Sequence, residues 1–326
     1  MKILVVGYGS IGKRHIKNLL SLPKIEVIVL TKQKSNDSIL KKCLVYDNLQ
    51  NCISENPSAA IISNNTSEHI DLALKLANQK IHLFIEKPLS DNLKNIQKLS
   101  NIVKSKKLLT MIGCNLRFHP CIKQIKKLID KKSVGKIISV QVESGSYLPN
   151  WHPNENYSKS YASRDDLGGG VILTCIHEID YLYWFFGMPN SLISQSGKYS
   201  NLKINVEDLS SSIINFPKNI LAELHLDYFQ LPDIRKCKII GTNGTIIWDS
   251  ISNTVKLYDS KKGHWDVKLK VKNYVRNDMF IDEMKHFLNC IQKRKQTINP
   301  LPDGIQTLKI ALSIKKSSKT GRLTNV

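Results

Sequence analysis

A short apolar run, Lys2–Val6, leads without a break into Gly7-Tyr8-Gly9-Ser10-Ile11-Gly12, and then into Ile11–Leu20, where apolar residues recur at helical spacing. Few arrangements of a chain satisfy a strand, three glycines at this spacing and a helix in immediate succession. Gly7 allows the tight turn, Gly9 lets the backbone come close to a pyrophosphate, and Gly12 lets the helix lie against the sheet. The first turn of the helix offers free N–H groups and the positive end of its dipole. Gly7, Tyr8, Gly9, Ser10, Ile11 and Gly12 are therefore a candidate dinucleotide cradle. Gly7 to Lys13 also spells G-x-x-x-x-G-K, but Arg14 stands where a triphosphate loop needs Ser or Thr for magnesium.

The pattern that opens the chain continues. Ile3–Val6, Val27–Leu30, Ala59–Ile62, His82–Ile85 and Leu108–Cys114 read as strands, with helices at Ile11–Leu20, Ile70–Asn78 and Leu93–Lys104 between them. This alternation predicts βαβ units and a parallel sheet with right-handed crossovers. Beyond about Cys121 the pattern changes. A helix is followed by a strand near Lys136–Ser146, a polar aromatic loop from Tyr147 to Asp166, and a helix from about Val171 to Phe186. The segments Asp208–Phe216, Ile220–Leu226, Lys236–Gly241, Gly244–Asp249 and Thr254–Tyr258 then follow one another through tight turns, as in an antiparallel sheet. Helices near Met279–Lys293 and Asp303–Lys316 close the chain.

Composition narrows the partners. The 326 residues carry 48 Lys plus Arg against 27 Asp plus Glu, a formal charge of +21, which favours anionic ligands. Only Arg14, Arg117, Arg164, Arg235, Arg276, Arg294 and Arg322 are arginines, and the lysines are scattered, unlike the Arg forks of a base reader, so no nucleic-acid partner is expected. Cys43, Cys52, Cys114, Cys121, Cys175, Cys237 and Cys290 contain no C-x-x-C pair, which predicts neither a disulfide framework nor a zinc site and fits a reducing cytoplasm. The apolar stretch at the start is too short for a signal peptide, and none approaches about 18 apolar residues, so no membrane span is expected.

Two further places bear on chemistry. Strand two ends in Leu30-Thr31-Lys32-Gln33-Lys34, without the carboxylate that binds ribose hydroxyls in an NAD site; Thr31 and Lys32 suit a 2′-phosphate and tip the expectation from NAD towards NADP. After the fourth strand, Glu86-Lys87-Pro88 lies at the carboxyl edge of the sheet, where ligands bind, and Pro88 holds Lys87 extended.

With these residues in place the chain resembles the Gfo/Idh/MocA oxidoreductases, the glucose–fructose oxidoreductase and inositol dehydrogenase group. The resemblance rests on Gly7-Tyr8-Gly9-Ser10-Ile11-Gly12-Lys13-Arg14-His15, Asn64-Asn65-Thr66-Ser67-Glu68-His69, Glu86-Lys87-Pro88, Asn115-Leu116-Arg117-Phe118-His119-Pro120, and Gly168-Gly169-Gly170 leading to His177-Glu178-Ile179-Asp180. It implies an α/β fold: a doubly wound Rossmann domain over residues 1–120, and an α+β domain over 121–326 whose large, mostly antiparallel open sheet binds substrate and builds a homodimer or homotetramer. It implies reversible hydride transfer between NAD(P) and a sugar carbon. Asn64, Thr66, His69, Glu86, Lys87 and Asn115 would border the cofactor, Arg117 the substrate, and the Lys87–Pro88 bond would be cis.

The chemistry needs a base for the hydroxyl proton. His177 suits that role without much tuning, and a desolvated Lys87 would assist. Thr174, His177, Tyr181 and Trp184 would share one stripe of a helix, yet many relatives carry a carboxylate where this chain has Thr174. Tyr181 replaces the second histidine of H-E-x-x-H, so no metal is implied. Trp151, Tyr157, Tyr161 and Arg164 offer rings for a sugar face and a fork for a carboxylate or phosphate, and the combination resembles relatives of surface-polysaccharide biosynthesis, which implies a nucleotide-linked or acidic, N-acylated sugar. The incomplete Lys–carboxylate–His set leaves two alternatives, a redox-neutral glycosidase or epimerase that keeps its NAD and a cofactor-bound regulatory protein.

Overall fold

The structure is a computed structural model that describes residues 1–33 and 37–326. The chain packs as two compact units, Met1–Asn115 with Arg276–Ile305, and Leu116–Val275 with Gln306–Val326. A single cut after residue 120 does not describe them: after serving the second unit, the chain returns to the first over Arg276–Ile305.

The first unit is built on β1 (Lys2–Val6), β2 (Glu26–Leu30), β3 (Leu44–Tyr46), β4 (Ala59–Ile62), β5 (His82–Glu86) and β6 (Thr110–Gly113), all parallel, in the order β3-β2-β1-β4-β5-β6. The helices of this region are α1 (Ser10–Leu20), α2 (Leu49–Ser54), α3 (His69–Asn78) and α4 (Ile96–Ser105). Ala59–Ile62 and Leu83–Ile85 are buried without alternation, because both faces of a parallel sheet are covered. The strand order reverses between β1 and β4, which places a crevice at their carboxyl ends. Helix α4 starts at Ile96, later than the sequence pattern suggests, because Asn95 before it is left-handed (φ 61°).

In the second unit, α5 (Pro120–Asp130) precedes β7 (Ile137–Gly145), and two short helices follow, α6 (Val171–Thr174) and α7 (Ile176–Phe186). The anticipated continuous helix from 171 to 186 is thus broken at Cys175 (φ −91°, ψ 31°). Next come β8 (Ser191–Gly197), β9 (Leu209–Phe216), β10 (Ile220–Asp227), β11 (Ile234–Gly241), β12 (Gly244–Asp249), β13 (Thr254–Asp259) and β14 (His264–Lys270). Helices α8 (Arg276–Lys293) and α9 (Leu301–Thr320) and a short β15 (Thr324–Asn325) end the chain. The strands form one sheet in the order β14-β13-β12-β11-β7-β10-β9-β8-β15, antiparallel except for the β7–β10 pair. Alternation sorts its faces: Ser210, Ser212, Ile214 and Phe216 are buried while Ser211, Ile213 and Asn215 are exposed. Among the described residues no helix is long and apolar enough to cross a membrane.

Candidate active site

The glycine loop is shaped by backbone contacts. Gly7 takes φ 99°, and a Cβ there would lie 2.8 Å from the Ser63 carbonyl oxygen; at Gly12 a Cβ would come within 2.2 Å of the Gly7 carbonyl. At Gly9 a Cβ would meet nothing within 4 Å among the described residues. Open space at Gly9 therefore faces the start of α1, whose first turn has neither a side-chain cap nor an acidic residue. A concave backbone with uncapped N–H groups fits a dinucleotide pyrophosphate. Tyr8 is buried, and burial together with a hydrogen bond to Asp37 pushes its phenol up to about 12. Lys13 lies over its ring at 4.8 Å. At the end of β2, the Thr31 hydroxyl accepts the Gln33 N–H at 3.1 Å and Lys32 is exposed. Lys34 lies outside the described residues.

Other expected cofactor residues fall on the same carboxyl edge. After β4, Asn64 donates to Glu68 at 2.7 Å while its own Oδ1 is buried without a partner among the described residues, an acceptor open to a ligand N–H or hydroxyl. Thr66 and Asn115 are buried. His69 is buried between two backbone carbonyls, with Nδ1 3.0 Å from Pro88 O and Nε2 3.2 Å from Asn64 O, so its ring braces the loops rather than facing a ligand. Burial lowers its pKa. Glu86 also turns inward: Oε1 lies 2.6 Å from His15 Nε2, and Oε2 accepts the Lys87 N–H at 3.2 Å. Lys87 itself is half-buried, and the Lys87–Pro88 peptide is cis.

In the second unit the glycine triplet is a knot of close approaches. Gly168 and Gly170 have φ 79° and 101°; a Cβ at Gly169 would lie 2.3 Å from the Tyr161 carbonyl, and one at Gly170 would lie 2.4 Å from Glu207 Oε1. Glu207, half-buried in the loop before β9, has its pKa raised by desolvation, with Lys315 3.6 Å from its other oxygen. His177 is 9% exposed on α7. Because the helix breaks at Cys175, Thr174 does not continue the α7 stripe, and it hydrogen-bonds Tyr228. Tyr181 is fully buried and Trp184 is half-buried. Arg117 has no exposed surface: its Nε and Nη2 reach Asp180 at 2.8 and 2.9 Å, so the fork is already filled. In the aromatic loop, the Trp151 N–H donates to Ser146 at 2.8 Å and its ring packs edge-on to Tyr228. The Tyr157 hydroxyl accepts the Lys203 N–H, Tyr161 is half-buried, and exposed Arg164 is paired with Asp166. Among the described residues no cluster of three or more His, Cys, Asp or Glu is placed to hold a metal.

Comparison with known proteins fixes the family. Residues 1–114 match the model of the oxidoreductase family with an NAD-binding Rossmann fold, and residues 122–247 match the GFO/IDH/MocA C-terminal domain. The chain belongs to the Gfo/Idh/MocA oxidoreductases. Among its relatives in this family is the myo-inositol 2-dehydrogenase of Thermotoga maritima, 23% identical over 99% of this chain and 97% of that protein. Another is the NAD+-dependent scyllo-inositol 2-dehydrogenase of Bacillus subtilis, 23% identical over 98% and 95%. In fold it is similar to levoglucosan dehydrogenase in complex with NADH, with a TM-score of 0.90 at 16% identity over 100% of this chain and 99% of that one. The Gfo/Idh/MocA chain described here thus carries an NAD-binding Rossmann domain. Three of its residues, His15, Asp37 and Glu207, contact the loops of the site although the sequence reading gave them no role. His15 stands inside a quoted motif, so its signal was present; Asp37 and Glu207 lie outside any helix or strand, with no periodicity to mark them.

Proposed function

We propose that the protein is a dehydrogenase that oxidises a ring hydroxyl of a sugar or polyol, reversibly, with NAD(P). The observation that carries this reading is in the first unit. The open, uncapped cradle at Gly9 and the half-buried Lys87 stand at the carboxyl edge of one parallel sheet. The bound cofactor supplies the hydride acceptor. The protein's own task is to hold the sugar and take the hydroxyl proton as the carbinol carbon gives up its hydrogen with the electron pair. We assign that proton to His177 and Lys87. The inositol and levoglucosan dehydrogenases among the relatives support a neutral sugar or polyol. The nucleotide-linked or acidic sugar suggested by the aromatic loop keeps Tyr161 in its favour, but Trp151, Tyr157 and Arg164 already have partners. For the cofactor we propose NADP over NAD, because Thr31–Gln33 holds no carboxylate, Lys32 is exposed, and Asp37 is engaged by Tyr8 and by the Ile39 N–H. The exposed Ile193, Ile213 and Leu221 on the open sheet support self-association as a homo-oligomer.

The test is a fluorescence titration of cofactor-stripped protein with NADPH and NADH, followed by a turnover screen over inositols, anhydrosugars, sugar phosphates and nucleotide sugars. Micromolar binding and turnover that disappears in Lys87→Met, with cofactor affinity kept within a few fold, is the expected result. No binding of either nucleotide, or unchanged turnover in Lys87→Met, refutes the reading. One observation favours a second reading, redox-neutral chemistry with retained NAD: Thr174 stands in place of a carboxylate and is engaged by Tyr228. Cofactor that survives gel filtration, with no net reduced cofactor appearing on addition of sugar, would select it.

A further inference from the structure

Two histidines of the first unit take no part in the chemistry above, and both touch the segment that carries Lys87. His15, on α1, is completely buried, with its ring edge-on to Phe84 (5.3 Å) and Phe280 (6.5 Å). Its Nε2 lies 2.6 Å from Glu86 Oε1, while Nδ1 is buried without a hydrogen-bond partner among the described residues. A proton on Nδ1 would be stranded there, so the tautomer that satisfies the site carries its proton on Nε2 and donates it to Glu86. The other Glu86 oxygen accepts the Lys87 N–H. On the far side of Lys87, the Pro88 carbonyl lies 3.0 Å from His69 Nδ1, and the second nitrogen of His69 is 3.2 Å from the Asn64 carbonyl. His69 is buried and its pKa is lowered by desolvation.

We infer that His15 and His69 are positioning residues: a two-point clamp that holds Lys87 between the glycine-loop helix and the Asn64 loop. The inference rests on the role proposed for Lys87. The clamp acts on backbone and carboxylate alone. His15 fixes Glu86, Glu86 fixes the Lys87 N–H, and His69 fixes the next carbonyl, so the root of the lysine side chain is tied to the loop that would carry the pyrophosphate. Space enforces the same arrangement, since a Cβ on Gly113 of β6 would come within 3.1 Å of the Glu86 carboxylate. A hydride-transfer centre is sensitive to displacements of about 1 Å, which is the scale on which an unclamped loop moves.

Isosteric pairs of variants separate this role from a merely structural one. The Nδ2 of Asn reproduces the position of His Nδ1, and the Nε2 of Gln that of His Nε2. Thus His69→Asn keeps the bond to Pro88 and His69→Gln loses it, whereas His15→Gln keeps the bond to Glu86 and His15→Asn loses it. In the full-length protein with NAD(P) and the sugar found in the screen, we expect kcat to fall about tenfold or more in His69→Gln and His15→Asn. Most of that loss should return in His69→Asn and His15→Gln, with sugar KM and cofactor Kd within about threefold throughout. A second readout needs no turnover. Reductive methylation of the cofactor-free protein, followed residue by residue by mass spectrometry, should show Lys87 reacting more slowly than exposed Lys32 in the native chain, and approaching the Lys32 rate in the two clamp-breaking variants. Equal kcat within each pair, beside an inactive Lys87→Met, overturns the clamp and leaves the role of Lys87 standing. So does a loss of kcat matched by an equal loss of cofactor affinity. Turnover that survives in Lys87→Met overturns the role of Lys87 and the clamp with it. If His15→Asn does not fold, the His69 pair and the methylation rates decide alone.

Discussion

Arg117 and Asp180 offer the sharpest test of how the second unit is held together. The two side chains are 0% and 1% exposed, joined by bonds of 2.8 and 2.9 Å, with Thr307 donating to Asp180 at 3.3 Å and the guanidinium 5.5 Å from the Trp184 ring centre. Arg117→Met keeps most of the aliphatic stem and removes the charge, which takes the guanidinium away from a buried carboxylate; Asp180→Leu takes the carboxylate away from a buried guanidinium. Each should cost about 3–5 kcal/mol, because the surviving charge stays buried after losing the opposite charge it faced. Independent sites would then lose about 6–10 kcal/mol together. The double variant instead removes both charges and leaves an apolar pair, so its loss should be no more than about 2 kcal/mol. The assay is urea unfolding at pH 7 followed by tryptophan fluorescence, and it reports on the right place, since Trp151, Trp184, Trp248 and Trp265 all belong to the second unit. Additive losses would refute the reasoning. So would an Arg117→Met variant of native stability with a raised sugar KM, which would return Arg117 to the substrate role anticipated from its motif.

Two further outcomes follow from the geometry. Gly9→Ala should leave the unfolding midpoint unchanged and weaken NAD(P)H binding at least about tenfold, since its Cβ enters open space at the helix N-terminus, whereas Gly12→Ala, driven into the Gly7 carbonyl at 2.2 Å, should also lower stability; equal effects of the two substitutions on stability would contradict the assignment, and titration beside urea unfolding checks it. His119, whose pKa is lowered to about 4 by burial and by the Arg235 charge, binds its proton less readily folded than unfolded, so its contribution is intact above about pH 6.5 and is lost as pH falls towards about 4, by about 3 kcal/mol. The fall of the urea midpoint over that window should be shallower in His119→Asn, which keeps an acceptor for the Cys121 N–H at the N-cap of α5 but does not titrate; parallel slopes would refute the assignment.

What could be read from the chain depended on whether its signal was local. The strand–glycine–helix opening needs only adjacent residues, and β1, α1 and β4 stand where periodicity placed them, within a residue. Four strands escaped notice for physical reasons, β15 because it has only two residues. β3 is three residues long, β8 is Ser-Leu-Ile-Ser-Gln-Ser-Gly with too few apolar residues to stand out, and β14 alternates its apolar residues with His, Asp and Lys on the other face of an edge strand. Beyond its ladder with β9, β8 is tied to α9, with the Ser317 and Ser318 hydroxyls accepting the Ser194 and Ser196 N–H groups, and residues more than 120 positions apart leave no periodic trace.

The same distinction explains the candidate site. Motifs located the loops, but a motif does not say which way a side chain turns. Glu86 and His69 were expected to meet the cofactor because they sit at the ligand edge of the sheet; instead each spends its polar atoms on the backbone or on another buried side chain. Arg117 resolves likewise into a filled fork. Buried polar groups must be satisfied, and where water is excluded the nearest satisfying partner decides their direction. A carboxylate or imidazole beside a ligand edge therefore has two stable fates, facing the ligand or bracing the residue that does. The two are separated by where the complementary donor lies in space. In this chain the donor for Glu86 is His15, 71 positions earlier, and that distance put the bracing role beyond the reach of local pattern.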